Sequence, residues 1–328
     1  MKILIVDHGQ IPAHLYGGTE RVIWYLGLEL SRRGHEVSYL VKSGSVCPFG
    51  KVIIRNPELT LDRQIPDDID LVHFQYPPDE EPTKPYIVTN HGNRNDTRPF
   101  PLNTIFVSKN HANRYGSNSY VYNGLDWNDY GKPVLDTTRR NFHFLGNAAW
   151  RVKNVRGAIQ TTLSIPNQHL DVLGGTRLNL KMGFRFTPQF RIHFHGMVGG
   201  ERKNALIQQS KGLVFPVLWH EPFGLAIIES LYFGCPVFAT PYGSLPELVP
   251  ATVGFLTASS SQMAKKMVAA ASYSQKECHE WAAENFNSSR MADAYMARYE
   301  HVLNGETLNA AAPQLLEVQP KFLPWNPL

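Results

Sequence analysis

Apolar residues along this chain come in runs of three to six, and the stretches between several of them place apolar positions at helical spacing. Residues 3–6, ILIV, form a run that ends at Asp7 and predict a buried strand. From about Thr19 to Arg33 the positions Val22, Ile23, Leu26 and Leu30 share one helical face, and Gly34 supplies a stop. Residues 35–41 give the next strand and complete a βαβ unit. Further strands are predicted at 52–54, 71–75, 86–89, 104–108 and 120–122. Periodicity lapses from about Trp127 to Arg140, as in a linker. A second series then places strands at 142–145, 169–173, 191–195, 213–218, 236–240 and 253–256. Its later helices are predicted at 225–233, near 259–271, at 275–285 and at 288–304. The pattern predicts two doubly wound α/β domains, each with a ligand edge where strands end and helices begin.

Composition narrows the class without naming a chemistry. A chain of 328 residues fits two lobes of about 150 residues, and 43% hydrophobic with 18% charged residues suits ordinary globular cores. A formal charge of +4 and a pI near 8.8, without a long Lys/Arg run, suit an anionic ligand or an acidic membrane surface and do not point to nucleic acid. Arg32-Arg33 and Arg139-Arg140 are expected to be solvated helix or linker charges. Cys47, Cys235 and Cys278 show neither metal nor disulfide spacing, and an odd count favours a reducing cytoplasm. MKILIVDHG is too short for a signal core and is taken as a strand, and no run approaches the roughly 18–20 apolar residues of a membrane span. Any membrane contact is therefore expected to be peripheral.

Residues 212–249, GLVFPVLWHEPFGLAIIESLYFGCPVFATPYGSLPELV, concentrate the chemistry. A buried strand gives way to Trp219-His220-Glu221-Pro222, and a helix opens near Gly224 and ends at Gly234. If both glutamates lay on helix, Glu221 and Glu229 would be roughly 12 Å apart at 1.5 Å per residue. Hydrolytic carboxylate pairs stand about 5–9.5 Å apart, so these two suit the ends of a long ligand better than one glycosidic bond. The amides of Gly224 and Leu225, at a helix N-terminus, are placed for an anion between them. The bland alternative is a helix cap at Glu221 and a solvated face at Glu229. Gly17 and Gly18 likewise precede a helix, in the loop HGQIPAHLYGG, and His91-Gly92 follows a predicted strand. Asp68-Ile69-Asp70 spells the D-x-D of metal-dependent transferases but precedes its strand, which makes a surface turn the better assignment. His193 and His195 share a strand face, yet no third zinc ligand lies nearby in sequence.

The segment HEPFGLAIIESLYFGCPVFAT, followed by LPELV, resembles the signature of the family 4 retaining glycosyltransferases, which have the two-lobed GT-B fold. GGTERV resembles that family's glycine loop, and VSKNHANRY with VYNGLD resembles the closing elements of its first lobe; there Ser108 and Asn123-Gly124 would cap helices or shape the cleft. The resemblance covers roughly residues 1–304. It implies that Glu221 contacts the donor sugar, that Gly224 and Leu225, beside Phe223, contact sugar and phosphate, and that Glu229 binds the ribose hydroxyls. It implies donor contacts for Gly17 and Gly18 and a role for His91 in holding the developing cation. It places the nucleobase against backbone near Met197 and Val198. In GNAAWRVK the family's diphosphate lysine is matched by Lys153, but Asn147 stands where an arginine is usual, and Arg151 is the neighbouring cation.

These implications give a GT-B architecture with an N-terminal Rossmann-like domain (1–135), a donor domain (136–287) and a helix with a proline-rich tail (288–328) packing back on the first lobe. The implied reaction is retaining transfer of a hexosyl unit from a nucleoside-diphosphate sugar, UDP- before GDP-, to a hydroxyl of a saccharide, a lipid-linked or a small-molecule acceptor. It requires neither a cofactor nor a metal. The departing diphosphate oxygen would help deprotonate the acceptor. A GT-B nucleotide-sugar epimerase and a non-catalytic sugar-nucleotide-binding partner subunit remain as alternatives.

Overall fold

The structure is a computed structural model that describes residues 1–12, 17–180 and 182–327; residues 13–16, inside the predicted loop before Gly17, lie outside the described residues. The chain forms two compact units, one of Met1–Asp126 with Phe286–Gln319 and one of Trp127–Asn285 with Pro320–Leu328.

The first unit is built from β1 (Lys2–Val6), α1 (Gly18–Arg32), β2 (Glu36–Val41), β3 (Lys51–Ile54), β4 (Leu71–Phe74), β5 (Tyr86–Asn90), β6 (Thr104–Phe106) and α2 (Lys109–Arg114), joined later by a helix from Ser288 to Leu303. Its six strands are parallel in the order β3-β2-β1-β4-β5-β6. Ile3, Leu4, Ile5 and Val6 are fully buried, as a central strand covered on both faces requires. The strand order reverses between β1 and β4, where the Gln75 amide donates to the Val6 carbonyl at 3.0 Å.

The Ser288–Leu303 helix is fixed to this sheet by a buried polar network. His73 bonds Tyr299 and Thr89, both at 2.8 Å, and Thr89 bonds Tyr295 at 3.0 Å. Burial pushes the His73 imidazole down to about 3, so it stays neutral. Arg33 reaches the same helix through Ser289 and Asp293, and Arg32 pairs with Asp126 at 2.7 Å. The expectation that Arg32-Arg33 are merely solvated is therefore corrected. Residues 120–122 form only one bridge, Tyr120 to Phe106, in place of the predicted strand. The chain leaves the sheet there, and the Gly124 amide packs on Met291 Sδ at 3.1 Å. Ser108 caps α2, accepting from the His111 amide at 3.1 Å.

The second unit contains β7 (Phe142–Leu145), α3 (Val155–Leu163), β8 (Leu170–Leu173), β9 (Leu178–Asn179), β10 (Arg185–Phe186), β11 (Ile192–Phe194), α4 (Gly200–Gln208), β12 (Leu213–Phe215), α5 (Leu225–Tyr232), β13 (Val237–Ala239), α6 (Leu245–Leu248), β14 (Gly254–Leu256), α7 (Ser260–Val268) and α8 (Gln275–Asn285). Its main sheet has the order β11-β8-β7-β12-β13-β14, which repeats the first unit's topology once the antiparallel β9–β10 hairpin is set aside. β12 stops at Phe215, short of the predicted 218, because Pro216 has no amide to donate.

The unit boundaries fall earlier than the sequence pattern suggests. Trp127 stacks on Tyr232 with centroids 4.2 Å apart, so the start of the presumed linker is already part of the second unit. Arg139 donates to the Phe233 carbonyl at 2.9 Å and to Gln275 at 2.6 Å, and is not a solvated charge. The tail divides between the units. Asn309 bonds the Leu102 and Thr104 carbonyls of the first, whereas Leu323 and Asn326 donate to Leu218 and Ala258 of the second. The expectation that residues 305–328 all pack on the first lobe therefore holds only as far as Gln319.

Candidate active site

In an open parallel sheet, ligands gather beyond the strand ends at the point where the order reverses. In the second unit that point lies between β7 and β12. The loop after β7 runs through Asn147 to a 3-10 turn, Arg151–Lys153. Asn154 ends the turn in the left-handed region and caps α3, accepting from the Gly157 amide at 3.0 Å while donating to the Pro216 carbonyl at 2.9 Å. One side chain thus ties the loop after β7 to the loop after β12.

Across this tie Lys153 meets Glu221. The ammonium lies 2.8 and 2.7 Å from the two carboxylate oxygens, and the Trp219 indole donates to Oε2 at 2.7 Å. The Lys153 nitrogen also sits 5.2 Å from the Phe215 ring centroid and 5.1 Å from that of Trp219. With Lys153 9% and Glu221 6% exposed, neither charge is held by water, so each depends on the other. The two residues expected to make separate ligand contacts are therefore each other's partner. Gly243 makes the geometry possible: it has φ +67°, and a Cβ there would lie 2.3 Å from both the amide nitrogen and the carbonyl oxygen of Glu221.

Immediately beyond, Gly224 precedes α5 with φ +98° and no side-chain cap, leaving the helix N-terminus to its backbone amides and dipole. Leu225 is the first helical residue. Phe223 is a core side chain whose carbonyl accepts from Ser244 Oγ at 2.5 Å, so it shapes this turn. Glu229, one turn into α5, is 2% exposed. It accepts from the Tyr130 hydroxyl at 2.9 Å and pairs with Lys203 of α4, which lies 5.0 Å from the Tyr130 ring centroid. Glu229 is thus no solvated face position.

Lys203 was not visible as a site residue in the sequence. Its one signal is that it stands four residues before Ile207, on the buried face of α4. Met197 and Val198 follow β11 at the same edge of the sheet, where the Gly196 amide bonds the Gly175 carbonyl at 3.2 Å; Met197 is exposed.

Two further candidates belong to the segment after β7. Asn147 spends its carboxamide oxygen on the Ala149 amide, 3.0 Å away, closing its own turn. Arg151 stacks its guanidinium 4.9 Å from the Phe322 ring centroid and lines a cavity of about 390 Å³. Lys153, Glu221 and Glu229 are not among the residues that line that cavity. His193 stacks on His169, and His195 bonds Asp171 at 2.8 Å. Among the described residues no three His, Cys, Asp or Glu side chains converge as metal ligands.

In the first unit Gly17 is the extended N-cap of α1 and Gly18 its first residue, again without a side-chain cap. His91 follows β5, next to the reversal between β1 and β4, and bonds the Gln75 carboxamide at 2.8 Å. Burial pushes its imidazole down to about 4, so it is neutral at neutral pH. Gln75 Nε2 and Asn90 Nδ2 are buried donors without a hydrogen-bond partner among the described residues, and both stand at strand ends on this edge. Sequence reasoning passed over them because an amide at a strand end has no spacing signature. Asp68 and Asp70 bind Lys2 at 2.8 and 2.7 Å on the opposite, amino-terminal edge, as a surface turn would.

Residues 139–272 match the family model described as glycosyl transferases group 1. No curated protein matches the sequence. Among solved structures, AviGT4, a glycosyltransferase involved in avilamycin A biosynthesis, is 20% identical with a TM-score of 0.74 over 93% of this chain and 99% of its own. Sucrose-phosphate synthase from Thermosynechococcus elongatus is 16% identical with a TM-score of 0.70 over 93% of this chain and 100% of its own. Anabaena HepE in complex with UDP-glucose is 15% identical with a TM-score of 0.63 over 93% of this chain and 100% of its own. At these identities the structural likeness speaks for the fold, and the family model speaks for the segment that carries the Lys153–Glu221 and Lys203–Glu229 pairs. The chain thus has the GT-B fold of these glycosyltransferase structures, and its residues 139–272 are similar to the group 1 glycosyl transferases.

Proposed function

We propose that this chain transfers a hexosyl unit from a nucleoside-diphosphate sugar, UDP- in preference to GDP-, to an acceptor hydroxyl with retention at the anomeric carbon. The observation that carries this is the buried Lys153–Glu221 pair spanning the strand-order reversal beside the uncapped start of α5. A diphosphate is the anion that such a place suits: Lys153 exchanges part of its bond to Glu221 for a phosphate oxygen, and the Gly224 and Leu225 amides supply neutral donors. Glu221, released in proportion, accepts from sugar hydroxyls. Glu229, fixed by Lys203 and Tyr130, is a preorganised acceptor for the ribose hydroxyls, and Met197 with Val198 borders the base. The preference for UDP draws on the UDP-glucose complex of HepE.

As the bond from the anomeric carbon to the phosphate oxygen breaks, negative charge grows on the diphosphate and positive charge on the sugar. Lys153 and the amides stabilise the first without reorganising, and this cationic and backbone set takes the place of a resident metal. The acceptor oxygen bonds to the anomeric carbon on the face the diphosphate leaves, and its proton passes to the departing phosphate oxygen. His91 of the first unit, neutral and oriented by Gln75, offers a dipole rather than a charge to a ligand at that unit's own reversal point.

The test is incubation with a panel of UDP-, GDP- and ADP-sugars, followed by chromatography of the nucleotide. Slow release of UDP with an α-configured sugar supports the proposal. Isomerised donor would instead identify an epimerase. A second reading, binding without turnover, is favoured by Asn147, which stands in the arginine position and whose carboxamide oxygen is committed to its own turn. Nucleotide binding with no release from any donor, across an acceptor panel, would establish that reading.

A further inference from the structure

The β9–β10 hairpin reverses the usual arrangement of a half-buried strand pair. Leu178, Leu180, Met182, Phe184, Phe186 and Phe190 occupy alternate positions and are all exposed, Phe184 to 65% and Phe190 to 79%. Between them Arg185 and Thr187 are buried and Asn179 is half-buried. Arg185 is 6% exposed and donates to Thr187 Oγ1 at 2.8 Å and the Thr176 carbonyl at 2.9 Å. Arg177 donates to the carbonyls of Thr187, Gln189 and Ile192 at 2.9, 3.0 and 2.6 Å. Arg156 of α3 holds the Phe184 carbonyl from the other side. The hairpin is thus stapled in place by arginine forks with its apolar side outward, a cost that water alone does not repay.

Charge identifies what covers it. Residues 137–200 contain nine Lys and Arg against a single acidic residue, Asp171, although the whole chain has 32 Lys and Arg against 28 Asp and Glu. Among the described residues no carboxylate pairs with Arg151, Arg156, Arg177, Arg185 or Arg191, and Arg151 and Arg156 are exposed beside the hairpin. An apolar ridge rooted in unneutralised cations matches a surface with anionic headgroups over an apolar interior. A second copy is the poorer occupant, because a two-fold contact through this ridge would set two like-charged faces against each other.

We propose that the β9–β10 hairpin docks this chain peripherally on an anionic lipid bilayer, with the phenylalanines inserted at the headgroup boundary and the exposed Arg151 and Arg156 on lipid phosphates. The inference stands apart from the donor chemistry, since no residue assigned to the donor there is part of the ridge. The experiment is co-sedimentation of the full chain with vesicles of phosphatidylcholine alone and of phosphatidylcholine with phosphatidylglycerol. Alongside it run the variant F184S/F186S/F190S, melting curves with and without UDP, and light scattering for mass. The expected result is binding to the anionic vesicles that weakens with added salt and falls by about tenfold or more in the variant, while melting and the UDP response stay as in the native chain. Absence of binding by the native chain, equal binding by the variant, or a native dimer that the variant dissolves without any vesicle binding would each overturn it.

Discussion

Replacing Lys153 by Met separates the two roles its geometry allows. Methionine keeps much of the aliphatic volume between Phe215 and Trp219 but leaves the Glu221 carboxylate, 6% exposed, with the Trp219 indole and no counter-charge. Breaking a buried pair in this way costs about 3–5 kcal/mol, a large share of the stability of a domain of this size. Adding Glu221→Gln removes the stranded charge, and the double variant should recover to within about 1 kcal/mol of the native chain in urea unfolding of the second unit. Ligand binding should not recover. If Lys153 grips a diphosphate, both variants lose a charge-assisted contact of about 1.5–3 kcal/mol, or roughly 10- to 150-fold in the Kd for UDP by calorimetry. The paired measurements remove the ambiguity of a merely unfolded variant. A double variant that regains both its stability and native affinity for UDP would refute the reasoning and leave Lys153 as no more than a counter-ion for Glu221.

Lys203→Met should destabilise the second unit by about 3–5 kcal/mol and be rescued by Glu229→Gln, with UDP binding weakened in both; undiminished affinity in the rescued form would remove Glu229 from the ribose role. Gly243→Ala forces a Cβ to within 2.3 Å of Glu221 backbone atoms and adds left-handed strain of about 1–3 kcal/mol, so a fully active, native-stability alanine variant would contradict the described turn. Acid should also weaken the fold. His73, His111 and His143 are pushed down to about 3 by burial, so the unfolded chain takes up protons first as pH falls through 6.5. Their contribution is whole above pH 6.5 and lost progressively towards pH 3, about 2 kcal/mol each by pH 5, and melting curves that coincide at pH 7.5 and pH 5 would rule this out.

What the sequence disclosed and what it concealed follow from the range of the interactions. The parallel strands are buried on both faces and stand out as short apolar runs, so β1, β4, β7 and β13 were legible to within a residue or two. Gly224 acts locally and marked the start of α5 by residue type alone, whereas the apolar run 213–218 masked the equally local break that Pro216 makes in β12. The start of the second unit could not: Trp127 and Tyr130 carry no periodicity, and their stacking on Tyr232 and bonding to Glu229 join positions about a hundred residues apart. The β9–β10 hairpin was concealed for a different reason. Its alternation is that of an ordinary strand, and only the inward arginine bonds show which face is outside.

The site itself lies between these cases. Glu221, Glu229 and Lys153 were each identifiable from local motifs, but their pairing was not, because it depends on strand order. Lys153 and Glu221 are 68 residues apart and meet only because β7 and β12 are neighbours at the reversal of the sheet. Lys203 reaches Glu229 because α4 and α5 flank β12 in chain order. Each signature glutamate is therefore tied to a lysine from another segment, and the two buried charges that the motif requires are balanced from outside it. A chain carrying the motif without Lys153 and Lys203 would lose two buried pairs at about 3–5 kcal/mol each, a large share of the stability of a domain of this size. The glutamate motif and the two distant lysines thus form one electrostatic unit.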